Sequence, residues 1–217
     1  MPPYSLAIFD LDGTLADSFP WFLRNVNGVA DRFGFRRIED GDVESLRHAG
    51  SREILKRLEV QLWKLPAIAR HMRRMKAAHL ADIPLFPGTG AMLQSLRDGG
   101  LTLALVSSDH EANARRQLGE AAALFSHFDC GASLFGKARK FRRVVRRAGF
   151  TVAQAISVGD EVRDIEAARA AGIACGAVMW GYAAPNALRG LAPEIVFERM
   201  EDIAPRLVAG TAGRRAD

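Results

Sequence analysis

Cysteine is scarce: Cys130 and Cys175 are the only two among 217 residues, and neither lies in a CxxC pair or beside a histidine cluster. This excludes a disulfide framework and a structural zinc site, and it fits a reducing compartment. No apolar run approaches the roughly 18 residues that mark a membrane-spanning helix. The start MPPYSLAIFD has no basic segment and reaches a charge at Asp10 after a short apolar stretch, unlike a secretory leader. A soluble, cytoplasmic chain with no membrane partner is therefore expected. An excess of charge over apolar residues is also missing. With 48% apolar and 25% charged residues, there is material for a packed core and disorder is excluded as the main state. The length, about one and a half ordinary domains, favours one domain with a large insertion or two small ones.

Five short apolar runs are present, Leu6 to Phe9, Leu101 to Val106, Ala155 to Val158, Cys175 to Trp180 and Ile195 to Phe197. Their lack of alternation fits strands buried on both faces. Between the later runs, Leu93 and Leu96, then Ile165 and Ala168 to Ala171, recur at helical spacing and close on Gly99-Gly100 and Gly172. Strand and helix alternating with glycine stops predict an α/β fold with a parallel sheet. Residues 18–83 differ, with apolar positions at helical spacing, many Arg and His, and no strand run. They are expected to form a helical insertion, bounded by the polar turn after Leu15 and by Pro84-Leu85-Phe86-Pro87-Gly88. Trp21, Phe22, Trp63 and Met72 are expected to pack in its interior. The small, charged tail from Gly210 to Asp217 is expected to fray.

The first run ends in Asp10-Leu11-Asp12-Gly13-Thr14-Leu15, placing two carboxylates just beyond the carboxyl end of a buried strand, where ligands bind in open α/β sheets. If the chain stays extended, both face one side, so one could be a nucleophile and the other an acid/base. Gly13 permits a tight turn whose N–H groups could meet an anion, and Thr14 could fix that turn locally. A loop cap is the plain alternative. The second run delivers Ser107 and Ser108, whose hydroxyls could donate to a phosphoryl oxygen or merely cap the next helix. The run ending at Val158 leads into Gly159-Asp160-Glu161-Val162-Arg163-Asp164. Carboxylates from different strand ends make a hard-cation site suited to Mg²⁺.

Lysine is rare in the second half, yet Lys137 and Lys140 precede an expected helix from Phe141 to Ala148. Either could neutralise charge among carboxylates and phosphate, or be solvated. That helix carries Phe141, Val144, Val145 and Ala148 on one face and Arg142, Arg143, Arg146 and Arg147 on the other. The net charge of +5 suits anionic partners, but no aromatic interleaving or binding motif accompanies the arginines. They read as a solvated face, which argues against nucleic acid. Arg47, His48, Gly50, Ser51 and Arg52 lie between two helical stretches. They could form a loop facing the site, where an arginine would meet a second substrate anion, or an ordinary interhelical turn.

Together, Asp10-Leu11-Asp12-Gly13-Thr14-Leu15, Val106-Ser107-Ser108, Gly136-Lys137 and Gly159 to Asp164 resemble the four motifs of the haloacid dehalogenase-like hydrolases, in order. Trp180-Gly181-Tyr182 is similar to the phosphoglycolate phosphatase-like branch. The resemblance implies a Rossmann-like core, 1–17 and 84–217, with a helical cap, 18–83. It implies that Asp10 attacks phosphorus to form an aspartyl-phosphate and that Asp12 protonates the leaving oxygen and then activates water. It further implies Mg²⁺ held by Asp10, the Asp12 carbonyl and Asp160, with Asp164 in support, and phosphoryl oxygens bound by Ser107. The third motif lacks the usual proline after lysine. Lys137 is chosen for it by its offset from Gly149, with Lys140 second. A second aspartate at Asp12 argues for phosphoryl transfer over dehalogenation. The expected activity is hydrolysis of a small phosphorylated metabolite, with a sugar-phosphate phosphomutase or a non-catalytic protein docking through its arginine face as alternatives.

Overall fold

The computed structural model describes residues 4–131 and 136–208; the tail from Gly210 to Asp217 lies outside them. Six strands, β1 (Leu6–Phe9), β2 (Thr102–Val106), β3 (His127–Asp129), β4 (Ala155–Gly159), β5 (Ala174–Val178) and β6 (Ile195–Phe197), form one sheet in the order β3-β2-β1-β4-β5-β6. Every adjacent pair is parallel. The sheet is buried on both faces, which is why its central strands read as unbroken apolar runs: β1 has no exposed residue, and neither has β4.

Helices cover both faces. After β1 come α1 (Phe19–Phe33), α2 (Val43–Arg47), α3 (Ser51–Arg57) and α4 (Leu65–Ala78). Then α5 (Thr89–Asp98), α6 (Glu111–Leu118), α7 (Lys137–Arg147), α8 (Val162–Ala171), α9 (Pro185–Gly190) and α10 (Ile203–Val208) alternate with the remaining strands. One core cluster joins Phe9, Leu93, Leu103 and Phe197; the other joins Ile8, Phe141, Val144, Ile165 and Leu188. This is a Rossmann-like α/β fold. The chain winds from β1 outward to β3 and returns to β4 on the other flank of β1. The crevice beyond the carboxyl ends of β1 and β4 is thus a topological switch point.

Helices α1 to α4 form an insertion between β1 and β2 with a small core of its own, Val26, Ile38, Leu46 and Leu58. Its two connections run side by side: Ala16 bridges to Leu85, and the Asp17 N–H donates to the Pro84 carbonyl at 2.9 Å. Trp21 is buried, but in the sheet cluster and not in the insertion's own core; Met72 packs against that same sheet cluster, and Phe22 against both. Trp63 differs, being 76% exposed. It sits in a short 3₁₀ turn, Leu62–Lys64, outside the amphipathic faces of α3 and α4.

Three other expectations change. β3 has no apolar run to announce it: His127–Asp129 is a three-residue edge strand. β5 ends at Val178, before Trp180. Helix α7 begins at Lys137, four residues before the expected start at Phe141, because Ala138, Arg139 and Lys140 are good helix formers and no proline stops it. Its arginine face is partly engaged. Arg143 Nε donates to Asp129 at 2.6 Å and Arg142 to the Ala170 carbonyl, while Arg146 and Arg147 are exposed.

Candidate active site

Asp10 is the first residue beyond β1 and is buried. Its N–H donates to the Val158 carbonyl at 3.0 Å, continuing the β1–β4 ladder, so the rigid centre of the sheet fixes its position. One carboxylate oxygen accepts the Leu11 N–H at 2.8 Å and the other accepts Lys137 Nζ at 2.6 Å. Burial works to raise the Asp10 pKa, but Lys137, Arg163 and these hydrogen bonds together hold it below the usual carboxylate range. These contacts favour the ionised form of Asp10.

Lys137 lies between two carboxylates, with Asp164 Oδ1 at 2.5 Å on its other side. Burial opposes its charge, but Asp10 and Asp164 overcome that and raise its pKa above the ordinary lysine value. Lys140 is placed elsewhere. Its ammonium donates to the Ser107 carbonyl at 2.8 Å and the Gly131 carbonyl at 2.5 Å, so it braces the strand end that carries Ser107. The structure thus brings Lys137, and not Lys140, to Asp10.

Asp160, fully buried just after β4, accepts the Thr14 hydroxyl at 2.7 Å and the Tyr182 N–H at 2.8 Å. Burial, and then the Glu161, Asp164 and Asp10 carboxylates, push its pKa well above the ordinary value. Asp164 is the N3 residue of α8, and its Oδ2 accepts the N–H groups of Asp160 and Glu161, both at 3.1 Å. One oxygen each of Asp10, Asp160 and Asp164 lies within 4.8 Å of the others. Three acid oxygens that burden one another electrostatically, all buried, fit a hard divalent cation such as Mg²⁺.

Two turn residues do other work than expected. The Gly13 N–H donates to the Ala16 carbonyl at 2.8 Å, so it is spent inside the turn and not offered to an anion. What Gly13 provides is clearance: at φ 76°, a Cβ would lie 2.2 Å from Asp160 Oδ2. Thr14 reaches across to Asp160 instead of bonding within its turn. Ser107 is buried and its Oγ accepts the Asp109 N–H at 3.1 Å, which leaves its hydroxyl proton available to donate; Ser108 is exposed to the cavity.

The carboxylate of Asp12 stands apart from the acidic cluster. It accepts Lys76 Nζ at 2.6 Å. Lys76 comes from α4 of the insertion, is 6% exposed, and makes a second charge contact with Asp109 at 3.1 Å. Burial would lower its pKa, but Asp12 and Asp109 outweigh burial and raise it. Sequence reasoning missed both Lys76 and Asp109. A usable signal existed, since Lys76 shares the α4 face of Ala69, Met72 and Arg73 at i, i+3, i+4 and i+7.

A cavity of about 380 Å³ opens from Asp12, Lys76, Ser108 and Asp109 into the insertion. Arg47 is on its wall, but its guanidinium donates to the Tyr182 carbonyl at 3.0 Å and the Gly181 carbonyl at 3.2 Å, latching the insertion to the core. His48 and Arg52 are exposed and are not part of the lining. They fall on the outer side of the α2–α3 turn. Trp180 donates its Nε1–H to the Thr14 carbonyl at 3.1 Å, and Tyr182 stacks edge-on with Phe19, its ring centroid 4.9 Å away.

The model of the haloacid dehalogenase-like hydrolases matches residues 7–178, from β1 through β5. The chain belongs to that family. This hydrolase is 34% identical to the phosphoglycolate phosphatase of Synechococcus elongatus over 198 residues, covering 90% of the chain and 93% of that protein. The phosphoglycolate phosphatase of Xanthomonas campestris pv. campestris (strain 8004) is 33% identical over 189 residues, 81% of the chain and 83% of that protein. In structure, the haloacid dehalogenase-like hydrolase SP0104 of Streptococcus pneumoniae aligns with a TM-score of 0.77 at 19% identity, over 94% of this chain and 98% of its own. The hydrolase thus sits on the phosphoglycolate phosphatase-like branch.

Proposed function

We propose that this phosphatase is Mg²⁺-dependent and hydrolyses a small phosphomonoester through an aspartyl-phosphate on Asp10. The observation that carries the reading is a buried, anionic Asp10 fixed by the β1–β4 ladder beside Lys137 and within the Asp10, Asp160 and Asp164 cluster. Asp10 attacks phosphorus in line while the bond from phosphorus to the leaving oxygen breaks. Asp12 supplies the proton that this oxygen needs, then takes one from the water that cleaves the acyl phosphate. Ser107 donates its hydroxyl to a phosphoryl oxygen, and Lys137 offsets the charge on Asp10 and the phosphoryl group.

Asp10, Asp160 and the Asp12 carbonyl would hold the cation. Asp164, the third acid of the cluster, would act in support. When bound, Mg²⁺ supplies Lewis-acid stabilisation of the phosphoryl charge. Phosphoglycolate, the substrate named for the curated relatives, is the first metabolite to test. Among the described residues no helix is long and apolar enough to cross a membrane, and with two free thiols this supports cytoplasmic placement. The partial engagement of the α7 arginines favours a metabolite partner over nucleic acid.

The test is phosphate release from a panel of phosphorylated metabolites and p-nitrophenyl phosphate with Mg²⁺ and no acceptor. The parent turns over, and Asp10→Asn loses about 10³-fold or more. Undiminished turnover in Asp10→Asn contradicts the nucleophile, and release only when a sugar phosphate is added would make the protein a phosphomutase.

A further inference from the structure

The cavity beside Asp12 is poorly matched to a two-carbon leaving group. Its volume of about 380 Å³ falls in the range of roughly 300–1,000 Å³ typical of pockets for much larger ligands. Its walls include Phe22, Ile38, Leu46, Ile54, Leu55 and Met72. Water held against such walls is released favourably by an apolar occupant.

The cations on the same lining are almost all committed. Lys76 is paired with Asp12 and Asp109, Arg47 with two backbone carbonyls, and Arg163 with Glu161. Arg73 differs. Its Nε is buried with no acceptor, as are Arg163 Nε and Trp21 Nε1 on the same lining, but among the described residues Arg73 has no hydrogen-bond or ion-pair partner for the rest of its guanidinium either. It lies three residues before Lys76 on the same face of α4, so a rise of about 4.5 Å carries it from the Lys76–Asp12 contact into the apolar chamber. A buried donor without a partner in a native fold requires an explanation, and a planar guanidinium is matched by a carboxylate or similar anion.

We infer that the leaving group of the substrate is an apolar body, on the scale of a substituted ring or branched chain, that carries a second anionic group paired with Arg73. This rests on the phosphatase reading above and names its substrate class. The phosphate would lie at Asp10, the body against Phe22, Ile54 and Met72, and the anion at Arg73. The role expected at Arg47 thus passes to a residue whose guanidinium is uncommitted.

The experiment compares three esters of primary alcohols with Mg²⁺ present: phosphoglycolate, benzyl phosphate and 4-carboxybenzyl phosphate. We expect kcat/KM for the carboxybenzyl ester to exceed each of the others by at least about tenfold. In Arg73→Met that advantage over benzyl phosphate shrinks by about tenfold, mainly through KM, and Arg73→Lys recovers part of it. Faster hydrolysis of phosphoglycolate than of both benzyl esters overturns the inference and leaves the phosphatase reading standing. Hydrolysis of none of them sinks that reading instead. The substrate class is then decided by calorimetric binding of 4-carboxybenzylphosphonate against methylphosphonate. Tighter binding of the former, lost in Arg73→Met, supports it, and equal affinity overturns it.

Discussion

The strand ends of β1 and β4 and the helical insertion meet at one cleft, but they hold their side chains by different means. On the sheet side, Asp10 and Asp160 follow consecutive positions of a parallel ladder, and the oxygens of Asp10, Asp160 and Asp164 are tied to backbone N–H groups or to core side chains. On the insertion side, Lys76 reaches Asp12 from α4, which among the described residues meets the sheet cluster only through the partly buried Met72 and Met75, and the insertion is latched to the core by the two Arg47 contacts. Groups that must meet phosphorus and a metal within tenths of an ångström belong on the rigid sheet. Groups that complete the charge balance and shape the leaving-group chamber can come from an element that docks.

This contrast is broken most severely on the sheet side. EDTA is expected to abolish turnover and Mg²⁺ to restore it, with Ca²⁺ restoring it poorly because its larger, more variable shell misplaces nucleophile and phosphorus. Asp160→Asn should lose about 10³-fold in kcat/KM at ordinary Mg²⁺ while keeping the fold. The amide oxygen can still accept from Tyr182 N–H, and the Thr14 hydroxyl can rotate to accept from the amide. Steady-state rates across a Mg²⁺ titration measure this, and activity in EDTA would contradict the metal site.

A smaller effect is expected at the insertion. Lys76→Met removes the partner of Asp12 and leaves Asp109 buried without a cation, so kcat/KM should fall by about 10- to 100-fold and the melting temperature should drop. If Lys76→Met costs as much as Asp10→Asn, the insertion shares in the chemistry directly and the division drawn above fails.

The same division explains what could be read from the sequence. β1, β2, β4 and β6 were legible because strands buried on both faces are written as unbroken apolar runs, and Asp10, Ser107 and Asp160 were legible because they stand where such runs end. β3 was not, since an edge strand of three residues with His127 and Asp129 at its ends carries no periodicity. The tasks of Gly13 and Thr14 were hidden because both concern Asp160, which is 146 residues from Thr14. Lys76 and Arg73 look like two more cations on a basic helix until tertiary packing turns their face inward. Trp63 shows the converse error: an aromatic in an apolar stretch is core only if the helix face continues through it, and here a 3₁₀ turn intervenes.

The central claim is that Asp10 carries the phosphoryl group. Acid quench during steady-state turnover with Mg²⁺, followed by peptide mass spectrometry, tests it most directly. The account predicts a phosphoryl adduct on the peptide that contains Asp10 to Leu15, localised to Asp10 and missing from Asp10→Asn. An adduct on Asp12 or Ser107, or rapid turnover with no adduct at any quench time, would contradict it.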